Sequence, residues 1–121
     1  DLLVTRRDVN EIQLAKGAIR AGVEVLLGEA SLTHEDLADF VVAGAFGTYL
    51  DIQSAVDVGM FPPLPRSRFR QVGNAAGTGA RQMLISAERR ALVEEIAARV
   101  EYVELTTHPA FTDAYMSAIM F

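Results

Sequence analysis

Two glycine-rich stretches are where this sequence could do chemistry. Ala43-Gly44-Ala45-Phe46-Gly47 ends the apolar run that begins at Phe40, and Gly73-Asn74-Ala75-Ala76-Gly77-Thr78-Gly79-Ala80 follows the run Phe69 to Val72. Open α/β sheets place ligands at loops that leave the carboxyl ends of their strands. A position with little or no side chain there lets a flat ring lie against the backbone. Gly44 and Gly47 also allow positive φ, so the same residues fit a tight turn that holds no ligand. The second stretch is not a phosphate-cradling P-loop, because no Gly-Lys-Ser or Gly-Lys-Thr follows it, and Gly77-Thr78-Gly79 lacks the further glycine of a dinucleotide fingerprint. Its small residues at 73, 76, 77 and 80 fall on one helical face, which suits close packing against a neighbouring element as well as a ligand.

Other chemistry finds little support. General acid–base work needs carboxylates placed in a cleft, whereas Glu24, Glu29, Asp36, Glu88, Glu94 and Glu95 fall on helix faces expected to be solvated or at caps. Asp51 lies nearer the first loop and reads as a helix cap ahead of a magnesium ligand. No serine or threonine sits in a nucleophile elbow, so no catalytic residue is assigned. The two histidines, His34 and His108, lie far apart without metal-ligand spacing and read as surface or helix-terminus residues. The absence of cysteine excludes a disulfide framework, a thiolate zinc site and a cysteine-ligated iron–sulfur cluster within these residues. A net charge of −5 provides no basic field for nucleic acid. Arg66, Arg68 and Arg70 form one small patch, either a solvated rim or a dock for an acidic partner or phosphate. No apolar run approaches the roughly 18 residues of a membrane span, and no signal-peptide pattern opens the chain. A soluble, cytoplasmic protein is the expectation.

The elements that must position the two stretches follow from spacing. With 121 residues, half of them apolar, the chain can build one compact domain with a core, and no internal boundary is evident. Thr5 and Asp8 read as a capping pair opening a helix of about 24 residues. Val9, Ile12, Ala15, Ile19, Val23, Leu26, Leu27 and Ala30 form its apolar stripe, with Arg7, Glu11, Lys16, Arg20 and Glu24 on other faces. Gly17 and Gly22 inside it fit either a close approach of another backbone or ligand, or glycines tolerated under tertiary packing. Thr33 caps a short turn before a buried strand at Phe40 to Ala43. Asp51 caps a helix from Ile52 to Val58, and a second strand covers Phe69 to Val72. A helix carrying Met83, Leu84 and Ile85 follows. Ser86 caps another through Arg99, with Leu92, Val93, Ile96 and Val100 inward. A third strand at Glu101 to Leu105 precedes a last helix opened at Thr107 or His108 before Pro109. Such alternation indicates an α/β fold with mainly parallel strands, since parallel neighbours need crossover helices.

Four blocks in order carry a resemblance over nearly the whole chain. They are Arg7 to Lys16, Val42 to Asp51, Val72 to Arg81, and Tyr102-Val103-Glu104-Leu105. Together they resemble the C-terminal, actin-like (ASKHA) domain of the reductive activators of corrinoid-dependent proteins. The resemblance implies an actin-like, ribonuclease H-like ATPase lobe: a short, mainly parallel sheet flanked by helices, with residues 1–121 as a single C-terminal lobe of a longer iron–sulfur protein. It implies ATP and magnesium bound together with another lobe, and a [2Fe–2S] cluster elsewhere in that protein. The activity it implies is ATP-dependent return of a Co(II) corrinoid to the Co(I) state needed for methyl transfer. A corrinoid protein or corrinoid-dependent methyltransferase would be the partner, and a homodimer is compatible. By the same resemblance Gly44, Ala45, Phe46 and Gly47 correspond to the adenosine-contacting turn. Gly73, Asn74, Gly77 and Gly79 correspond to the connecting segment where two lobes hinge. Many superfamily members carry two adjacent glycines where this chain has Gly44-Ala45. Since the phosphate hairpins and magnesium-holding acids fall outside these residues, the 121 residues alone are expected to lack significant ATPase activity. Two other readings remain open: a non-enzymatic docking or dimerisation module, and one lobe of an actin-like kinase for a small acid or sugar.

Overall fold

The computed structural model describes residues 2–121. Local side-chain chemistry sets most element boundaries. Helix α1 spans Arg6–Glu29, as the spacing predicts. Its capping box is complete: Thr5 Oγ1 accepts the Asp8 N–H at 3.3 Å, and Asp8 Oδ2 accepts the Thr5 N–H at 2.8 Å. The same device recurs at Thr33 and Asp36, which open the 3-10 turn His34–Asp36. Strand β1 is Phe40–Ala43, followed by a 3-10 turn over Phe46–Tyr49. Asp51 caps helix α2, Ile52–Asp57, with its Oδ2 accepting from Ser54 N at 2.7 Å and Ser54 Oγ at 2.6 Å. Strand β2 is Phe69–Gly73 and pairs with β1 in a short parallel sheet. Helix α3 is Ala75–Ile85, capped by Asn74, and α4 is Ala87–Ala97, capped by Ser86. Helix α5 is Phe111–Ala118.

The chain forms two compact units. The first joins the segments up to Asp39, Asp51–Phe69 and Val103–Phe121. Its core is Ala21, Val25 and Leu27 of α1 with Ile52, Ala55, Phe61, Pro62 and Phe69. Phe61 and Phe69 stack at 6.0 Å, and Arg68 ties the basic stretch down by donating to the carbonyls of Glu35 and Leu37, each at 3.0 Å. The second unit comprises Phe40–Leu50 and Arg70–Tyr102 and holds the sheet, apart from Phe69, together with α3 packed on α4. Neither α3 nor α4 has a buried residue.

Five expectations change. The apolar stripe of α1 is mostly not its buried face: of its residues Leu27 is buried, but Val9, Ile12, Ile19 and Leu26 are exposed, and Lys16, Gly17, Ala21, Gly22 and Val25 are buried beside it. The reason lies at α5: a Cβ on Gly17 would sit 3.2 Å from both Ile119 Cα and Tyr115 Cε2. The helices meet at backbone distance, which only the glycine face permits. The run Phe40–Ala43 is a strand, but only Val42 is buried in it. The proposed inner face of α4 is exposed at Leu92, Val93, Ile96 and Val100. Residues 101–105 form no strand. Glu104 Oε1 accepts the Thr106 N–H at 3.1 Å and bonds the Thr106 hydroxyl, which curls the chain into the 3-10 turn Leu105–Thr107. Side-chain bonds of this kind compete with a ladder. Helix α5 then begins at Phe111 instead of Pro109, because His108 Nδ1 accepts the Ala110 N–H at 3.2 Å and holds that residue outside the helix.

The three acidic caps give a pH prediction. The Thr5 hydroxyl and N–H hold the Asp8 carboxyl below its ordinary 3.8; the Thr33 N–H and hydroxyl do so for Asp36. The Ser54 hydroxyl and N–H do the same for Asp51, with the Arg66 guanidinium adding to them. A carboxylate with a depressed folded pKa contributes stability above its unfolded value and loses it as pH falls through the folded value. Thermal unfolding followed by circular dichroism is therefore expected to show stability falling below about pH 4. The Asp8→Asn, Asp36→Asn, Asp51→Asn triple variant is expected to show a shallower fall; an equally steep one would assign the acid sensitivity elsewhere.

Candidate functional site

Both glycine-rich stretches belong to the second unit, and the structure brings them together. The Gly44 N–H donates to Gly73 O at 2.7 Å, continuing the pairing with β2 one residue beyond the end of β1. Both residues require positive φ, +104° at Gly44 and +61° at Gly73, so glycine at each is dictated by the backbone. Ala45 has φ −60° and ψ −40°, an ordinary helical conformation. The turn therefore needs only one glycine of the usual adjacent pair, and the alanine introduces no backbone strain. Gly47 N–H donates to Gly44 O at 3.1 Å, and Thr48 bonds back to Ala45 O through both its N–H and its hydroxyl, which winds Phe46–Tyr49 into a 3-10 turn. Gly47 is buried, and a Cβ there would come within 2.9 Å of Val42 Cγ1.

Gln71 was not singled out from sequence, yet it fastens this loop. Its Nε2 donates to Gly47 O at 2.7 Å and to Leu50 O at 2.9 Å, using both amide hydrogens. An amide residue in the strand Phe69–Gly73, two residues before its closing glycine, was the available signal. Thus the second strand holds the loop at both ends, by Gly73 at the start and Gln71 at the finish. What the loop presents outward is the Phe46 ring, 77% exposed, and the Tyr49 ring, 87% exposed. No atom lies within 4 Å of where a Gly44 Cβ would point. That open space beside a rigid turn fits a flat ring lying on the backbone.

The second stretch is organised as a helix start. Asn74 Oδ1 accepts the Gly77 N–H at 2.9 Å, and its amide folds so closely over Gly77 that a Cβ there would meet Nδ2 at 2.6 Å. Gly77 is thus explained by the cap. Gly79 faces open space, with nothing within 4 Å of a Cβ. The small-residue face at 73, 76, 77 and 80 is largely exposed, so among the described residues no element packs closely upon it.

In the first unit the structure reveals a charged residue that spacing had put on an outer face. Lys16 is only 2% exposed. Its Nζ donates to Ala118 O at 2.9 Å and to Met120 O, and lies 4.9 Å from the centre of the Phe121 ring. Burial, then repulsion from Arg20, lowers its pKa. Glu24 is likewise more than a solvated acid: its Oε1 lies 2.5 Å from Arg20 Nε and 2.8 Å from His34 Nε2. His108 pairs with Glu29 at 3.1 Å. Among the described residues no group of three or more acids and histidines is placed to hold a metal, and no helix is long and apolar enough to cross a membrane.

A family model for the C-terminal domain of RACo, the ASKHA domain, matches residues 1–121. The chain belongs to that family. Among the relatives of this RACo C-terminal domain is the corrinoid activation enzyme RamQ of Eubacterium limosum, 38% identical over 121 residues, which are all of this chain and 20% of that protein. Another is the [Co(II) methylated amine-specific corrinoid protein] reductase of Methanosarcina barkeri, 30% identical over 120 residues, 98% of this chain and 22% of that protein. The solved structure of a reductive activator for corrinoid, iron–sulfur protein superposes with a TM-score of 0.87 at 37% identity, covering 96% of this chain and 18% of that one. This chain therefore spans about a fifth of the length of the curated relatives it matches. The α/β fold expected from the element order is that of the ASKHA domain.

Proposed function

We propose that this ASKHA chain is the nucleotide-binding C-terminal lobe of an ATP-dependent reductive activator, in a protein that returns Co(II) corrinoid to Co(I) for methyl transfer. The observation that carries this reading is the end-to-end similarity, 38% over 121 residues, to a corrinoid activation enzyme. In it, Gly44, Ala45, Phe46 and Gly47 form the turn on which adenosine rests, and the open space beside Gly44 favours that role. Gly73 anchors the connecting segment to the turn and Asn74 caps its helix, with Gly77 and Gly79 continuing it. The residues here fit only part of the remaining chemistry. Asp51 Oδ2 is occupied by Ser54, and the chain has no cysteine, so magnesium–phosphate binding and the [2Fe–2S] cluster belong to other parts of a longer cytoplasmic protein. A cluster held elsewhere in that longer protein would supply electrons; this lobe's own residues supply a surface for the base.

A second reading has one observation in its favour. Helices α3 and α4 bury no side chain, and two strands with an exposed helical pair make a marginal unit alone. A docking or dimerisation role for this unit would cover those faces. Optical titration separates the two. The protein carrying this chain, mixed with Co(II) corrinoid protein and a low-potential reductant, is expected to form Co(I) only when magnesium ATP is present, while residues 1–121 alone neither hydrolyse ATP appreciably nor form Co(I). Equal Co(I) formation without nucleotide, together with a tight dimer lacking calorimetric ATP binding, would favour docking.

A further inference from the structure

The first unit contains an open cleft of about 560 Å³ between α1, α5 and the segment Gly59 to Pro63, which the reading above leaves unused. Its volume falls in the range of small-molecule sites, roughly 300–1,000 Å³. Most of its lining is apolar, including Val56, Phe61, Ala114 and Met120. The charged groups lining it are Lys16, Arg20 and Glu24, two cations against one carboxylate. Glu24 is already engaged by Arg20 and His34 through one oxygen, which blunts its repulsion of an incoming anion. Lys16 is the unusual member. Buried ammonium groups are costly unless paired with a charge, yet the hydrogen-bond acceptors of this one are two neutral carbonyls, which take two of its three hydrogens. Arg20, one turn along the same helix, also lines the cleft, but its charge is paired with Glu24 and its Nη1 donates to Phe61 O at 3.0 Å, so the excess positive charge is that of Lys16. Burial first, then Arg20, lowers the pKa of Lys16, and the Phe121 ring lies 4.9 Å from its Nζ.

We propose that this cleft binds a small organic anion, a carboxylate carried on a flat apolar body, with the carboxylate toward Lys16 and the body against Phe61 and Ala114. The site belongs to a different unit from the glycine-rich turn, so its ligand is not the adenosine assigned there. Calorimetric titration of the protein with 2-naphthoate and with its uncharged counterpart 2-naphthalenemethanol tests this. The carboxylate is expected to bind once per chain, about tenfold or more tighter than the alcohol, a gap of about 1.4 kcal/mol per tenfold. Ala114→Phe, which fills the cleft and leaves Lys16 with its carbonyl partners, is expected to abolish binding of both probes. Lys16→Met is expected to bring the carboxylate down to the affinity of the alcohol. Equal affinity for the two probes, no binding of either, or undiminished naphthoate binding by Ala114→Phe with native circular dichroism would overturn the proposal, even if Lys16→Met fails to fold. Excess ATP is expected to leave naphthoate binding unchanged; competition would overturn the separation of the two sites.

Discussion

Gly44→Val is expected to cost the protein carrying this chain about tenfold or more in ATP affinity, and ATP-dependent Co(I) formation should fall with it. The reason is backbone conformation. Gly44 holds φ +104°, and forcing a β-branched residue into such a region costs on the order of 1–3 kcal/mol. The space around it is open, so the valine meets no neighbour; it relieves the strain by rotating its backbone. That rotation swings its N–H off Gly73 O, now at 2.7 Å, and detaches the turn from β2. The paired control is Ala45→Gly. Ala45 already lies in the helical region, so glycine there is expected to change ATP affinity little, with a stability loss of about 1 kcal/mol at most. Equilibrium titration with a fluorescent ATP analogue reads both. Unchanged affinity in Gly44→Val would remove residues 44–47 from the nucleotide site.

Gly17→Leu should produce the largest loss of stability among substitutions in α1. A Cβ at this position already stands 3.2 Å from Ile119 Cα, which is backbone and cannot swing aside. Overpacking of this kind costs about 1–3 kcal/mol and occasionally more, and the upper end is expected because α1 and α5 must separate along their contact. Separation also pulls the Ala118 and Met120 carbonyls from Lys16, leaving a buried ammonium unpaired. Gly28 provides the opposite case on the same helix: no atom lies within 4 Å of its Cβ position, so Gly28→Ala is expected to stabilise by up to about 1 kcal/mol through helix propensity alone. Urea unfolding midpoints should move in opposite directions for the two variants. A Gly17→Leu midpoint within error of the parent's would mean that the α1–α5 approach is not what the glycine serves.

The contrast between Gly17 and Gly28 also shows which features were legible beforehand. Both are glycines in a helix, and nothing local distinguishes them. The helix boundaries were readable because they depend on residues three apart: Thr5 with Asp8, Thr33 with Asp36, Asp51 with Ser54. The two strand-to-helix junctions with their glycines were readable for the same reason, and four motif blocks in order pointed to the family that residues 1–121 match. The strand expected at residues 101–105 was not recoverable. Its apolar residues Tyr102, Val103 and Leu105 suit a strand, but Glu104 bonding Thr106 took the chain into a turn.

Sequence by itself thus determined most of the elements, the caps at Thr5, Asp51 and Ser86, the position of both glycine-rich turns and the family, since each depends on short-range spacing or on ordered motifs. Only the tertiary structure decided which face of α1 is buried, because that was settled by how closely α5 could approach Gly17 and not by which residues were most apolar. It alone placed Lys16 against the carbonyls at the end of α5, 102 and 104 residues along the chain. It alone joined the two glycine turns through the Gly44 to Gly73 hydrogen bond and locked the first with Gln71. Contacts between residues this far apart follow from the path of the backbone in three dimensions, on which periodicity carries no information.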